Sequence, residues 1–315
     1  MTRVIDVHTH AADMRLLPRE FVDGALENMC AAVAAIGVTA GRTRMWDRIA
    51  HLVDDEHCDA LVREMDDAGI GVSVLQVPDF TVRWPGALTI EEILFAHRAI
   101  VARHPGRLVA FAGVDPRWGV DGVALFERAL RDWGFRGFKL YPPCGYAADD
   151  RSLHPFYELC AAYGVPVLVH VGGTSPGLDF RTSEPLRVDA PARAFPTVPF
   201  ILGHGGVAFV EQSILLCRFR PNVFLDLSGY HVSLQFPATR RALADVLHAG
   251  IGHKILFGTD WPLCRLHGVQ RRMLDALVEA RGPAGDLAPV ERDAILGDTA
   301  SRLLGMRAAP GVCVA

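Results

Sequence analysis

The chain has 315 residues, of which 50% are hydrophobic, 22% charged and 8% aromatic, a composition typical of a globular protein. Its 32 Lys and Arg residues against 36 Asp and Glu residues give a net charge of −4, without the basic excess of a protein that binds nucleic acid through its charge. Disordered and collagen-like chains are excluded, and we expect no nucleic-acid partner. We predict one domain over residues 1–315, since an α/β barrel can reach this size.

The chain shows no signal for export or membrane insertion. Its start, MTRVIDVHTH, lacks the long apolar stretch of a secretory signal, and no apolar run approaches the roughly 18–20 residues that span a bilayer. The seven cysteines are scattered and form no C-x-x-C pair, which argues against a disulfide framework and against a thiolate zinc site. We therefore expect a cytoplasmic protein without a membrane partner.

Short apolar runs bounded by turn residues recur along the chain, and amphipathic stretches separate them. The helical patterns lie at 58–70, 90–105, 122–135 and 240–250. Eight units of strand and helix, with strands apolar on both faces, predict a (β/α)8 or TIM barrel of the α/β class. The predicted strands are Val4–His8, Gly71–Val77, Leu108–Val114, Gly137–Tyr141, Val165–Val171, Pro199–His204, Val223–Leu227 and Ile255–Thr259.

Two insertions exceed the repeating unit, and both follow the C-terminal end of a strand. Residues 11–55 come after strand 1, and residues 173–196 come after strand 5. Because barrel enzymes build their sites from these loops, we expect both insertions to form walls of a substrate pocket. Residues 291–305 are expected to form one or two terminal helices outside the barrel.

Polar residues at strand ends indicate a metal site. His8 and His10 are two residues apart on a strand and project to the same side, while His170, His204 and Asp260 end strands 5, 6 and 8. An isolated histidine in an apolar run is more often a core residue, but core packing does not explain a set at the same end of several strands. Imidazole nitrogens with a carboxylate suit Zn²⁺, and Mn²⁺, Fe²⁺ or Co²⁺ accept the same ligands.

These residues resemble the amidohydrolase superfamily of metal-dependent barrel enzymes, and within it the branch that includes aminocarboxymuconate-semialdehyde decarboxylase. The resemblance implies one metal held by His8, His10, His170 and Asp260, with His204 free for acid/base catalysis, and it implies a homodimer. One departure is Asp298, where that branch is expected to have asparagine. The motifs that carry the resemblance are His8-x-His10, GHGG at 203–206, GTDWP at 258–262 and the closing ILGDTASRLLG.

Lys139, in the string KLYP at the end of strand 4, leaves a two-metal alternative open. This string resembles dihydroorotase, in which the lysine is carboxylated and bridges two ions, and His204 would then bind the second ion. In the one-metal arrangement Lys139 is an ammonium group that binds a substrate oxygen or carboxylate. The larger set of motifs favours one ion.

The reaction that we predict first is hydrolysis of an amide, lactone or related C–N or C–O bond in a small, carboxylated molecule. Metal-activated water attacks, Asp260 accepts a proton, and His204 orients the carbonyl or protonates the leaving group. Non-oxidative decarboxylation within the same branch is the alternative, because it needs the same groups. Weaker candidates for substrate binding are Arg42, Arg44, Arg48, Tyr141 and Trp261, for which a solvated helix face or packing at the barrel rim is the simpler explanation.

A dinucleotide-dependent oxidoreductase is a remote alternative. GHGGVA at 203–208 matches the G-x-G-x-x-A fingerprint after a strand, and Asp226 ends the next strand, where a ribose-binding acid would fall. This interpretation leaves His8, His10 and Asp260 without a role. Asp226 is otherwise a candidate partner of a metal-binding histidine.

Overall fold

The computed structural model describes residues 3–35, 37, 41–230, 237–266, 268–278 and 287–306. Its strands are β1 (Val4–Thr9), β2 (Ala12–Asp13), β3 (Asp54–Asp55), β4 (Ile70–Gln76), β5 (Leu108–Gly113), β6 (Phe138–Leu140), β7 (Val167–His170), β8 (Phe200–Gly203), β9 (Val223–Asp226) and β10 (Ile255–Leu256). Eight of them form one sheet in the order β1-β4-β5-β6-β7-β8-β9-β10, and each neighbouring pair is parallel.

Backbone hydrogen bonds between the first strand and the segment after the last one close the sheet. The N–H of Val7 donates to Phe257 O at 2.9 Å, and the N–H of His10 donates to Trp261 O at 2.7 Å. In return, the N–H of Asp260 donates to the carbonyl of His8 at 2.8 Å. The structure therefore confirms the predicted (β/α)8 barrel.

Most strands end one residue earlier than the sequence predicts, and the last strand ends three residues earlier. At the last strand, the N–H of Phe257 donates to Ile295 O instead of to β9. His204 and Asp260 have positive φ angles of 66° and 59°, which carry the backbone out of the extended conformation. The predicted strand 255–259 is thus a strand over Ile255–Leu256 followed by a turn.

Helices surround the barrel, and local sequence signals set their ends. A capping box formed by Thr89 and Glu92 begins one of them, and Gly69, Gly134 and Gly164 end three others in the left-handed conformation. None of the helices in the described ranges is long and apolar enough to cross a membrane. They are α1 (Arg19–Ala35), α2 (Arg42–Leu52), α3 (Asp59–Ala68), α4 (Ile90–Arg103), α5 (Gly119–Trp133), α6 (His154–Tyr163), α7 (Asp189–Ala194), α8 (Val210–Phe219), α9 (Pro237–Leu247), α10 (Gln270–Val278), α11 (Pro289–Asp293) and α12 (Thr299–Leu303).

The two insertions have secondary structure of their own and meet beside the end of β7. The first contains α1 and α2 between β2 and β3, which pair antiparallel, and the second contains α7. Asn28 of α1 donates to Thr174 O at 3.3 Å. Ser175 lies so close to Gly24 that a Cβ atom at this glycine would be 1.8 Å from the serine oxygen. The first insertion therefore covers the start of the second, in the loop that follows His170.

Two apolar clusters hold the layers together. The larger lies between the sheet and the helices, where the rings of Phe138 and Phe156 stack with centroids 5.1 Å apart. The smaller cluster consists of residues from the strands together with Ala300 and Leu304. The C-terminal segment, which was expected only to pack outside the barrel, therefore shares an apolar cluster with the strands. The buried members of the smaller cluster are Ile5, Val7, Val72, Val74, Phe111, Leu168, Ile201, Phe224, Leu256, Ala300 and Leu304.

We expect Gly113→Ala to destabilise the fold by about 1–3 kcal/mol or more, because the added methyl group overlaps backbone that cannot move freely. A Cβ atom at Gly113, the last residue of β5, would lie 2.0 Å from the carbonyl oxygen of Val77. Urea unfolding measures the change. Gly86→Ala is the control, since a Cβ atom there meets nothing within 4 Å, and an equal effect of both variants would contradict the close approach.

Candidate active site

His8 lies at the centre of a buried polar site at the end of β1. Its Nδ1 is 2.8 Å from Asp226 Oδ2, and its Nε2 is 3.3 Å from Lys139 Nζ. Because a carboxylate only accepts, Nδ1 carries the ring proton and Nε2 keeps its lone pair. Burial, together with the charge of Lys139, lowers the pKa of His8 to about 3, so the ring is neutral at neutral pH. His8 is therefore in the form that a metal ion requires.

His10 and Asp260 lie beside His8. His10 Nδ1 is 2.8 Å from the carbonyl oxygen of Gln76, which again places the proton on Nδ1, and its Nε2 is 3.4 Å from Asp260 Oδ1. Burial opposes the ionisation of Asp260, but the hydrogen bond with His10 and the neighbouring imidazoles hold the pKa of its carboxyl well below the usual range. His8, His10 and Asp260 each offer one ligand atom, and these atoms lie within 4.8 Å of one another.

Asp226, at the end of β9, holds several of these groups in place. Its Oδ2 accepts from His8, and its Oδ1 accepts from the backbone N–H of His204 at 2.8 Å and of Ser228 at 3.0 Å. Burial opposes its ionisation, but the contacts with His8 keep the pKa of the Asp226 carboxyl below its usual range. Because its oxygens already accept these hydrogen bonds, the Asp226 carboxylate is not available to bind a ribose. The structure therefore does not support a dinucleotide site that uses Asp226.

His204 follows β8 and turns towards Asp226 through its positive φ angle. Its Nδ1 is 2.8 Å from the Ser228 hydroxyl and 3.2 Å from the Ser228 carbonyl oxygen. Because that carbonyl only accepts, Nδ1 carries a proton and the neutral ring has its lone pair on Nε2. Among the described residues Nε2 has no hydrogen-bond partner, and the ring centroid lies 4.5 Å from that of His8. His204 thus presents a free Nε2 inside the site.

His170, at the end of β7, lies next to this cluster but outside the groups of ligand atoms that the described residues form. Its Nε2 is 3.1 Å from Gly173 O, and its ring centroid is 4.8 Å from that of His204. Burial, with the nearby His204 and Lys139, lowers the pKa of His170 well below the usual value, so its ring is neutral. Its place as fourth ligand stays a prediction, because its Nε2 is turned to the backbone.

Lys139 brings a cation into the same site from the end of β6. Its side chain is almost fully buried, and its Nζ donates to His8 Nε2, the one hydrogen-bond partner it has in the described part of the chain. Burial lowers the pKa of Lys139 to about 8, while Asp226 and Asp260 act in the opposite direction. An ammonium group has three donors, so this one retains capacity to bind an anionic group.

Tyr141 is the one weaker candidate that lies against the histidines. Its ring centroid is 4.3 Å from that of His170, and its hydroxyl is 2.7 Å from Thr174 Oγ1. The ring of Phe80 packs 5.0 Å from Tyr141, and Phe21 of α1 packs 4.7 Å from Phe80. An aromatic wall therefore runs from the site into the first insertion, as expected for a loop that forms a pocket wall.

The other weak candidates do not reach the site. Trp261 is fully buried, and its Nε1 donates to Glu64 on α3 at 3.3 Å. Arg42, Arg44 and Arg48 lie exposed on α2, where Arg42 pairs with Asp23 at 3.1 Å. These arginines form a solvated helix face, the simpler explanation of their pattern.

An open groove on the described surface lies away from these residues. It has a volume of about 740 Å³ and runs between the 85–91 segment and α5, with Trp118 and Arg128 in its lining. It contains no strand-end histidine. The polar strand-end residues therefore lie outside this groove.

Ser228 is a functional candidate that the sequence did not reveal. It is fully buried, and its hydroxyl contacts the Nδ1 atoms of both His8 and His204 as well as Asp226. Its only signal is its position two residues after Asp226, just beyond a strand end. A single serine in such a position is too common to indicate function.

The donor set fits a divalent metal ion. The neutral ring of His8 keeps its Nε2 lone pair, His10 presents its Nε2 beside it, and Asp260 supplies a charged oxygen. Each imidazole is oriented through its other nitrogen, His8 by Asp226 and His10 by Gln76 O, as ligand histidines in metal sites are. Nitrogen ligands with one carboxylate are compatible with Zn²⁺ and with Mn²⁺.

Comparison with known proteins identifies the family. A family model described as amidohydrolase matches residues 5–306, so the chain belongs to this amidohydrolase family and is an enzyme. A curated relative, the 2-keto-4-carboxy-3-hexenedioate hydratase of Sphingobium sp. (strain NBRC 103272 / SYK-6), is 29% identical over 170 residues. That match covers 44% of this chain and 48% of the hydratase, about half of the relative's length.

Solved structures show the same fold. A 2,6-dihydroxybenzoate decarboxylase bound to 2,6-dihydroxybenzoate aligns with a TM-score of 0.68 and 19% identity over 97% of this chain and 100% of that one. A dihydroxybenzoic acid decarboxylase from Polaromonas sp. JS666, with bound manganese and 2-nitroresorcinol, aligns with a TM-score of 0.63 and 18% identity over 97% of both chains. At these identities the likeness concerns the fold.

We expect Asp226→Asn to weaken metal binding by about 10–100-fold, the usual effect of removing the partner that orients a ligand histidine. The amide has no charge to hold the proton on His8 Nδ1. A chelator competition titration with Zn²⁺ measures the dissociation constant. Asp79→Asn is the matched control, because Asp79 is also buried and hydrogen-bonded but holds Thr81 and the Asp115 N–H. Equal metal affinity in Asp226→Asn and the unaltered protein would contradict this role.

Proposed function

We propose that this amidohydrolase-family enzyme is a metal-dependent, non-oxidative decarboxylase of a small carboxylated molecule. The observation that carries the proposal is His204, whose Nδ1–H is fixed and whose Nε2 has no partner among the described residues and lies beside the proposed metal ligands. A histidine in this state carries a proton to or from a substrate. The solved neighbours named as decarboxylases support this reaction better than hydrolysis, which the sequence alone favoured.

The metal ion is proposed to be held by His8, His10 and Asp260, with His170 as the fourth ligand. When bound, it supplies a Lewis acid that anchors substrate oxygens and withdraws electron density from the reacting carbon. Mn²⁺ and Zn²⁺ are the candidates, and the manganese in the Polaromonas structure supports the first. We propose one ion, since Lys139 as an ammonium group is no metal ligand.

Lys139 is proposed to bind an anionic oxygen of the substrate. It is the one cation among the buried residues of the site, and it has unused N–H donors. Charge-assisted hydrogen bonds of this kind are about twice as strong as neutral ones. Tyr141 and Phe80 offer flat apolar surface next to it, which suits a planar substrate.

In the reaction, the bond between the carboxylate and the neighbouring carbon breaks and CO₂ leaves. The electron pair of that bond stays on the carbon, which takes a proton from Nε2 of protonated His204. His204 returns to its neutral form and keeps the proton on Nδ1, where Ser228 holds it. One proton is consumed for each CO₂ released, and solvent replaces it. His204 is therefore proposed as the proton donor, and Asp260 as a ligand.

Hydration of a double bond is the second candidate, because the curated relative is a hydratase. It needs the same proton transfer from His204 to carbon, while the neighbouring carbon takes the oxygen of water. Which of the two reactions occurs depends on the substrate that the pocket binds. The product analysis described next distinguishes them.

The test is incubation of the manganese-loaded protein with hydroxybenzoates, including 2,6-dihydroxybenzoate, in D₂O and in H₂¹⁸O. We expect release of CO₂ and one deuterium on the carbon that carried it. Parallel incubations contain 2-keto-4-carboxy-3-hexenedioate and an aromatic lactone. ¹⁸O in a new hydroxyl group would favour hydration, and ¹⁸O in a carboxylate formed from the lactone, without CO₂ release, would overturn decarboxylation in favour of hydrolysis.

A further inference from the structure

We propose that Ser228 is a positioning residue that holds His204 in its Nδ1–H tautomer and ties it to Asp226, the carboxylate that also orients His8. One carboxylate would then align a metal-binding imidazole and the imidazole that carries the proton. The part that concerns proton transfer rests on the proposed function, whereas the tautomer of His204 does not.

The hydrogen bonds of the Ser228 hydroxyl define the arrangement. The oxygen contacts Asp226 Oδ1, the Nδ1 of His8 at 2.9 Å and the Nδ1 of His204 at 2.8 Å. A hydroxyl has one proton and two lone pairs, and a carboxylate only accepts. The proton of Ser228 therefore points to Asp226. One lone pair accepts from the N–H of His204, and the other faces the N–H of His8, which is shared with Asp226 Oδ2. Every donor and acceptor of this hydroxyl is used.

The same pattern fixes which nitrogen of His204 meets the substrate. With the Ser228 hydroxyl as an acceptor, the proton of the neutral ring stays on Nδ1, so the lone pair is on Nε2. Without it, the Ser228 carbonyl oxygen at 3.2 Å is the remaining acceptor, at the long end of the usual range. Loss of the hydroxyl thus allows the tautomer of His204 that carries its proton on Nε2. In that tautomer Nε2 has no lone pair, so it cannot take up the solvent proton that is to be passed to the substrate.

The surroundings of Ser228 keep its side chain in place. The residue is fully buried, and its backbone N–H donates to Asp226 Oδ1 at 3.0 Å. A Cβ atom at Gly258 would lie 3.3 Å from the Ser228 Cβ, so this side of Ser228 is closely packed and a threonine methyl group at position 228 has to point away from Gly258. Ser228→Thr therefore retains the hydroxyl, while Ser228→Ala removes it with almost no change in volume.

The experiment measures the ring nitrogens of His204 by ¹⁵N NMR in the zinc-loaded protein and, in parallel, kcat and KM for CO₂ release. We expect Nδ1–H in the unaltered protein and in Ser228→Thr, and a shift towards Nε2–H in Ser228→Ala. We expect kcat of Ser228→Ala to fall by about 10–100-fold with KM and zinc content unchanged, the scale of losing an orienting partner. Ser73→Ala is the control, since Ser73 is also buried and its hydroxyl has no hydrogen-bond partner among the described residues.

Each outcome decides the proposal. The proposal is overturned if His204 carries its proton on Nε2 in the unaltered protein, a result that does not depend on the folding of any variant. It is also overturned if the tautomer of His204 is the same in Ser228→Ala as in the unaltered protein. A fall in kcat that Ser228→Thr does not restore also overturns the positioning role. If the tautomer shifts as expected but no carboxylate loses CO₂, the positioning of His204 stands and the proposed reaction fails.

Discussion

His204→Asn retains the bound metal and loses about 10²–10⁴ in kcat, the usual contribution of a group that transfers a proton in the transition state. Asparagine preserves a side-chain amide near the Ser228 hydroxyl but cannot donate a proton to carbon. His204 is absent from the ligand group of His8, His10 and Asp260. It belongs to a second group with His8 and Asp226, but there the Asp226 carboxylate already accepts from both residues, so metal content is expected to stay unchanged. Elemental analysis and steady-state kinetics of CO₂ release measure the two quantities.

The two-metal alternative gives the opposite result for the same variant. If His204 binds a second ion, His204→Asn loses half of the metal, and Lys139 is then expected to be carboxylated. Intact mass spectrometry of the unaltered protein under native conditions detects that modification as an added CO₂. Loss of metal together with this mass would overturn the one-ion account.

His10→Asn and His170→Asn are each expected to weaken metal binding by more than about 100-fold, beyond the effect of losing an orienting partner. Each removes one proposed ligand nitrogen from the site. A competition titration with Zn²⁺ measures the affinity. His154→Asn is the control, because His154 packs on Phe195 at the start of α6, outside the site.

The same two variants also test whether His170 is the fourth ligand, which stays a prediction. His10 already points its Nε2 towards Asp260, whereas His170 Nε2 meets Gly173 O. Unchanged affinity in His170→Asn, with loss in His10→Asn, would remove His170 from the ligand set. Unchanged affinity in both would contradict a metal at this position.

The fold could be predicted from the sequence because its signals are local and repeated. Buried parallel strands give short apolar runs, and Gly69, Gly134 and Gly164 mark helix ends by the conformation they adopt. The exact strand ends could not be predicted. They depend on tertiary hydrogen bonds, such as that from Phe257 to Ile295, which join positions far apart in the sequence.

The site was predictable as far as it rests on strand ends. His8, His10, His204 and Asp260 come together because parallel strands in a barrel present their ends on one face. The orientation of each ring was not predictable, since it depends on partners such as Asp226 and Gln76 O that lie on other strands. The implied homodimer stays a prediction.

The role of Asp226 follows from the groups that it contacts and could not be read from its position in the sequence. At the sequence level it fits either a ribose-binding acid or a partner of a metal-binding histidine. In the structure its carboxylate accepts from His8, His204 and Ser228, so one buried charge organises most of the site. A buried carboxylate needs such donors, because without them burial would keep it protonated.

Anomalous diffraction at the manganese edge from crystals of the manganese-loaded protein tests the central claim most directly. We predict one strong peak within ligand distance of the Nε2 atoms of His8 and His10 and of the Asp260 carboxylate, with Lys139 unmodified. Two peaks bridged by a carboxylated Lys139 would contradict the one-ion site. The absence of any peak at these residues, in crystals that hold manganese elsewhere, would contradict the metal centre itself.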